Sequence, residues 1–164
     1  MSPISFIINK ILEVTVTLLD YILLFMIFLL IYIVLARYFF SWGDIAYQEL
    51  VMYCHATIFM LGISYTLKED SHVSIDIFSR KYSKALKIKI NLFLNIIFLI
   101  PISLFFIYIS LDMVMNSWAI HEGSSEAGGL NYVYLLKSLI PLTGVLIFLT
   151  GLNKIILGFS ELGK

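Results

Sequence analysis

Residues 62–76, GISYTLKEDSHVSID, carry a strongly apolar segment up to Leu67, stop it at Lys68-Glu69-Asp70, and turn back with apolar Val73, Ile75 and Ile77. A charged knot between two apolar runs is what a chain needs where it leaves a bilayer and prepares to re-enter it. The composition demands such a solvent. Of the 164 residues, 60% are hydrophobic and 13% charged, with a mean hydropathy of +0.96. A water-soluble domain of this length has too little interior to hide that much apolar surface.

Working outward, the chain divides into four runs long enough to cross about 30 Å of hydrocarbon, which takes roughly 20 helical residues. They cover about residues 18–37, 46–67, 90–111 and 134–157. The fold class expected is an all-α membrane protein of four transmembrane helices, forming one integral-membrane domain over residues 1–164. A central loop at 68–89 and two loops on the other side, 38–45 and 112–133, connect the spans. Residues 4–17, interrupted on one face by Asn9, Lys10 and Glu13, suit either an interfacial helix or the start of a long tilted span. Pro101 falls inside the third run and predicts a kink there. Gly144, Gly151 and Gly158, seven apart, predict one helix face that a neighbour can approach closely.

Charge sets the orientation. Lys68, Arg80, Lys81, Lys84, Lys87 and Lys89 lie in the central loop, and Lys10, Lys154 and Lys164 fall on the same side. The other side has only Arg37 and Lys137 against Asp44, Glu49, Asp112, Glu122 and Glu126. The excess of lysine and arginine places both termini and the central loop in the cytoplasm. Lys10, Glu13 and Asp20 precede the first long run and no small-residue cleavage site follows, so no cleavable signal peptide is expected.

The same residues exclude several functions. The net charge of +0 points away from nucleic acid. A lone cysteine, Cys54, cannot serve a thiol oxidoreductase that works through paired cysteines. Membrane haem asks for facing histidines from different spans; of His55, His72 and His121, only His55 lies inside one. His72 and Asp76 would share a helical face, but two ligands do not make a metal site. No nucleophile with its base, phosphate loop or paired carboxylates stands out. An enzyme is not expected, and neither a cofactor nor a metal. At the outer ends, Arg37 is expected to pair with Glu49, with Asp112 as the competing partner, since an ionised group at membrane depth costs about 2.5–3.5 kcal/mol; the alternative is that Arg37 snorkels to the headgroups. Asn95, Ser103 and Thr150, far from any span end, are expected in part to face protein outside this chain.

The order of features resembles the small four-span membrane subunit of tripartite ATP-independent periplasmic (TRAP) transporters. The residues that carry it are Arg37-Tyr38, Trp42, Glu49-Leu50, Gly62 and the run from Lys68 to Asp76. That run is similar to a family pattern of a basic residue, a polar gap, His, aliphatic, any residue, aliphatic and Asp, with Ser71 in place of the usual glycine. The usual pair of acids before Leu50 is here Gln48-Glu49. Gly128-Gly129-Leu130, Lys137 and Ile140-Pro141 resemble the approach to the fourth span in one branch of the family, which often has proline where Ala127 and Asn131 stand. The resemblance implies a scaffold subunit of the bacterial inner membrane, in a one-to-one complex with a large multi-span subunit that moves an organic acid inward with sodium. A soluble periplasmic binding protein would deliver the acid. It also implies structural roles: Arg37 and Glu49 fixing the arrangement of spans, His72 and Asp76 holding the cytoplasmic interface, and Trp42 anchoring the outer aromatic belt. Two rival readings are a small homo-oligomeric exporter and a membrane anchor for a redox enzyme. The exporter reading fits poorly with acids at span ends and a one-sided charge bias.

Orientation is tested with single cysteines in a Cys54→Ser background. Ser125→Cys is expected to react with a membrane-impermeant thiol reagent in whole cells, and Ser83→Cys only after the membrane is opened. The reversed pattern would turn the topology over.

Overall fold

The computed structural model describes residues 3–69 and 83–163. Helix α1 runs from Pro3–Phe40, α2 from Ile45–Lys68, α3 from Lys84–Leu94, α4 from Ile100–Ala119 and α5 from Val133–Leu162. A π-helical turn, Asn95–Leu99, joins α3 to α4. The described residues contain no strand. Four helical stretches among them are long and apolar enough to cross a membrane, the third being Ala85–Ala119.

Residues 4–17 continue without a break into the rest of α1, whose 38 residues make about 57 Å at 1.5 Å each. That exceeds the roughly 30 Å of hydrocarbon, so α1 extends well past the apolar layer. Ser41, at φ 51°, ends the helix, and the Trp42 amide reaches back to the Ala36 carbonyl at 3.3 Å. Asp44 then caps α2, its carboxylate accepting from the Ala46 amide at 2.8 Å, which satisfies one of the donors every helix start leaves open. Ser83 caps α3 in the same way through the Leu86 amide at 3.3 Å.

Pro101 has no amide hydrogen and clashes with the regular helical ladder. The chain absorbs this in the π-turn just before it, where the Ile100 amide donates to Asn95 O, five residues back. The third span therefore stays continuous, with a wide turn where the sequence predicts a kink.

Helix α5 is the centre of the bundle, touching α1, α2, α3 and α4. Along α4 the contact is a small-residue seam. A Cβ added to Gly144 would come within 2.8 Å of Ile107 Cγ1 and 3.0 Å of the Ser103 carbonyl. One on Gly151 would meet Ile100 and Leu99 at 3.1 and 3.2 Å, and one on Gly158 would meet Leu92 at 2.7 Å. All three glycines of the seven-residue series thus receive the same neighbour, the third span. Ser103, Ser110 and Ser117, also seven apart, are buried.

Of Asn95, Ser103 and Thr150, expected in part to face protein outside this chain, two turn inward. Ser103 and Thr150 do not face outward. Ser103 is buried and donates to the Ile100 carbonyl at 2.7 Å. Thr150 is 1% exposed and bonds the Leu146 carbonyl at 2.9 Å, with the Ser64 carbonyl of α2 at 3.3 Å. A hydroxyl on a helix can satisfy itself on a carbonyl three or four residues back, so a polar residue at membrane depth does not by itself require an external partner. Asn95 likewise donates to the Asn91 carbonyl of its own span at 2.8 Å. Beside Thr150, Asn153 donates to the Asn9 carboxamide of α1 at 3.0 Å. Ile8, Leu12 and Leu146 pack alongside as a buried apolar cluster.

Gly144→Leu is expected to force α4 away from α5 and to cost about 1–3 kcal/mol, the usual penalty for overpacking. Val145→Leu, on an exposed face of the same helix, serves as the control. Unfolding in mixed micelles reads the difference; equal stability of the two variants would overturn the close-contact seam.

Candidate functional site

The polar construction of the molecule concentrates at the end where α4 passes into α5. After Ala119, the Ile120 and Glu122 amides bond back to Asn116 at 3.4 Å and Ser117 at 3.0 Å, and His121 takes φ 47° to turn the chain. The Val133 amide donates to the Glu122 carbonyl at 3.0 Å and the Ser124 amide to the Leu130 carbonyl at 2.9 Å. The loop is thereby drawn into a narrow double-backed strip. At its tip Gly128, at φ 82°, permits a turn closed by the Gly129 amide on the Glu126 carbonyl at 3.0 Å. A side-chain-bearing residue would be strained there.

The strip is tied down by a carboxylate and an ammonium. Glu49, in the second turn of α2, accepts from the Leu130 amide at 2.6 Å and from the Ser124 hydroxyl. These partners stand 81 and 75 residues away in sequence. The fit is close: a Cβ on Gly129 would lie 2.8 Å from Glu49 Oε1 and 2.5 Å from the Ser124 hydroxyl, so glycine is required to let the carboxylate in. The second tie is Lys137 of α5, whose ammonium donates to Glu122 at 2.5 Å. That hydrogen bond holds the Glu122 carboxyl below its ordinary value of 4.5. A depressed carboxylate contributes its stability fully above the ordinary value and loses it only as pH falls through the lowered one. The tie is therefore intact at neutral pH. Trp118 adds a third link, its indole donating to Ser138 at 2.9 Å while its ring meets Tyr134 edge-on at 4.6 Å.

The sequence reading placed Arg37 on Glu49. The structure corrects this: Glu49 is occupied by the loop, and among the described residues Arg37 makes no ion pair. Arg37 is exposed at the end of α1, its guanidinium lying over Gly43, with Nη2 3.6 Å from where a Cβ would be. The Leu130 amide and the Ser124 hydroxyl, both carried by the loop, take the two carboxylate oxygens in charge-assisted hydrogen bonds. Asp112 is exposed on α4. Trp42 sits in an aromatic group, 6.3 Å from Tyr32 and 5.5 Å from Tyr47. His72 and Asp76 lie outside the described residues. Lys137 is brought to the loop, as is Glu49; Ser124, Leu130 and Glu122 complete the arrangement, Leu130 having been read only as part of the family run and Glu122 only as an outer-side charge. Their signal was the run GSSEAGGLN itself (residues 123–131), a loop of small residues whose bare amides need an acceptor from elsewhere.

At the opposite end, which carries both termini, Lys68 stands 3.6 Å from Glu13 of α1 and 3.8 Å from Glu69. His55 is exposed on α2 and stacks on Phe59 at 6.4 Å, while His121 meets Tyr134 at 5.8 Å in the loop. These two histidines are thus on separate elements with separate aromatic neighbours.

The model of one protein family, described as tripartite ATP-independent periplasmic transporters, DctQ component, matches residues 13–161. Comparison with curated proteins returned no match.

Glu49→Ala removes a charge-assisted acceptor worth about 1.5–3 kcal/mol. Hydrogen exchange at the Leu130 amide is expected to speed up by about 10- to 100-fold in that variant, with Glu49→Gln in between. Unchanged protection of Leu130 would mean that the loop holds itself.

Proposed function

Because the chain belongs to the DctQ component family of tripartite ATP-independent periplasmic transporters, we propose that it is the scaffold against which a large transport subunit works, in a one-to-one complex. The chain is a multi-pass membrane protein and a transporter component. On this proposal the complex lies in the bacterial inner membrane, with both termini of this chain in the cytoplasm. A periplasmic binding protein delivers an organic acid, and the large subunit carries it inward with sodium.

The observation that supports the scaffold role is where the polar groups of the spans go. Thr150, Ser103, Ser110, Thr143 and Asn153 each bond a carbonyl or carboxamide of this same chain. A substrate path needs polar groups turned toward a cavity at membrane depth and interrupted helices to line it. Here Ser103, Ser110 and Thr143 are satisfied on their own helices, Thr150 and Asn153 reach across to α2 and α1, and apolar side chains face outward. Phe28 and Phe105 are 68% and 60% exposed, surface for lipid or another membrane chain.

The proposed structural residues divide by level. Arg37, Trp42 and Asp112 would each hold the outer headgroup region. Glu49 and Lys137 keep the 120–132 loop in one shape, which suits a surface that a soluble protein must find repeatedly. His72 and Asp76 would serve the cytoplasmic face. An exporter or redox-anchor role has no observation in its favour once the family is known.

Reconstitution into liposomes with an inward sodium gradient, and binding protein outside, tests the reading. Uptake of the organic acid is expected only when both membrane subunits are present, with background counts from this chain alone. Sodium-driven uptake by this chain alone would overturn the scaffold role.

A further inference from the structure

At the end that carries the termini, the third span leans on α5, and the space between α3 and the inner end of α2 is a cavity of about 470 Å³. Its lining is mixed in a particular way. Lys68 from α2 and Lys154 from α5 supply ammonium groups, Glu161 supplies a carboxylate, and Asn91 and Asn95 of the third span supply carboxamides. Leu92 and Leu157 make the apolar part of the wall. Lys68 is held at the rim by Glu13 and Glu69, so its ammonium stays at headgroup level. Asn95 uses one amide hydrogen on the Asn91 carbonyl and has a second to offer.

We propose that this cavity binds the headgroup of a phospholipid that carries both a phosphodiester and a primary amine, and that the lipid bridges α2 and the third span across α5. Two lysines and two carboxamides are donors suited to a phosphodiester. Glu161 can accept from a cationic donor beside that anion, which a primary ammonium provides. A choline headgroup has no N–H to give a carboxylate and is recognised instead by aromatic faces; the lining is without an aromatic ring among the described residues. A purely anionic headgroup would leave Glu161 facing negative charge. The leucine wall continues the headgroup site toward the hydrocarbon, where acyl chains run. Lys68 is the last residue of α2 and Lys154 stands eight residues before the end of α5; a lysine's flexible stem can carry its ammonium toward the headgroups.

The test uses the protein in its native assembly, purified in mild detergent, stripped of lipid and titrated with defined phospholipids, with lipid bound to this chain read by native mass spectrometry. Phosphatidylethanolamine is expected to bind in preference to phosphatidylcholine and phosphatidylglycerol. Lys154→Gln should weaken binding by about tenfold or more, the loss of a charge-assisted hydrogen bond. Glu161→Gln, in the exposed last turn of α5, should keep phosphodiester binding while removing the preference for the amine. Inorganic phosphate and O-phosphoethanolamine serve as soluble competitors and are expected to displace little. Equal binding of the three lipids by the unmodified protein, or an undiminished amine preference in Glu161→Gln, would overturn the proposal. Full displacement by either soluble competitor would also overturn it, since the ligand would then be a free phosphate compound. If Lys154→Gln fails to fold, the headgroup comparison on the unmodified protein decides alone.

Discussion

Lipid gives helices no hydrophobic reason to stay together, because a neighbouring acyl chain is as apolar as a neighbouring leucine. The bundle therefore depends on how closely α5 can be approached. Gly144, Gly151 and Gly158 let the third span lie against α5 at distances where any Cβ would collide. The dispersion gained along such a contact is small per atom pair and large over about four turns of helix. Without that seam, the third span would be held only at its ends.

The other side of α5 is held differently. There α1 and α2 meet it through a few polar groups placed among leucines: Asn9 on Asn153, and Thr150 between Leu146 and Ser64. Such bonds in a membrane interior average well under about 2 kcal/mol each, yet they fix register, since a slide of one turn would part Asn153 from Asn9. Close approach on one face and directional bonds on the other leave α5 with two unlike interfaces. This is consistent with a component whose shape is set by itself rather than borrowed from its neighbours. The water-facing end adds a third device, a carboxylate and an ammonium closing on a loop.

How far this was legible in the sequence differs from feature to feature. The four apolar runs were plain, because a bilayer of fixed thickness dictates their length. The glycine series was legible as a contact face, since seven residues are close to two helical turns and keep one direction. Its partner was not, because any of three helices could have filled it. The Arg37–Glu49 pairing failed for a related reason. Opposite charges at one level suggest a pair, but sequence does not show that the Leu130 amide arrives at the same place with a better geometry. Ser103 and Thr150 were misjudged because a polar residue was weighed by its depth in lipid, while its own helix already offered an acceptor. Pro101 marked the right position for an irregularity, and the hydrogen-bond ladder decided its form.

The tie from Glu49 to Leu130 has a consequence for how the protein is made. The carboxylate is synthesised and its helix inserted while the amide it will accept from is still 81 residues away. At about 5–20 residues per second, roughly 4 to 16 seconds pass before that amide exists, and the third span must enter the membrane in between. During this interval Glu49 waits at the water-facing rim, hydrated rather than bonded. The contact that shapes the finished loop is thus open to form once the third span and the loop have been made, while α5, from Val133 onward, is still to come.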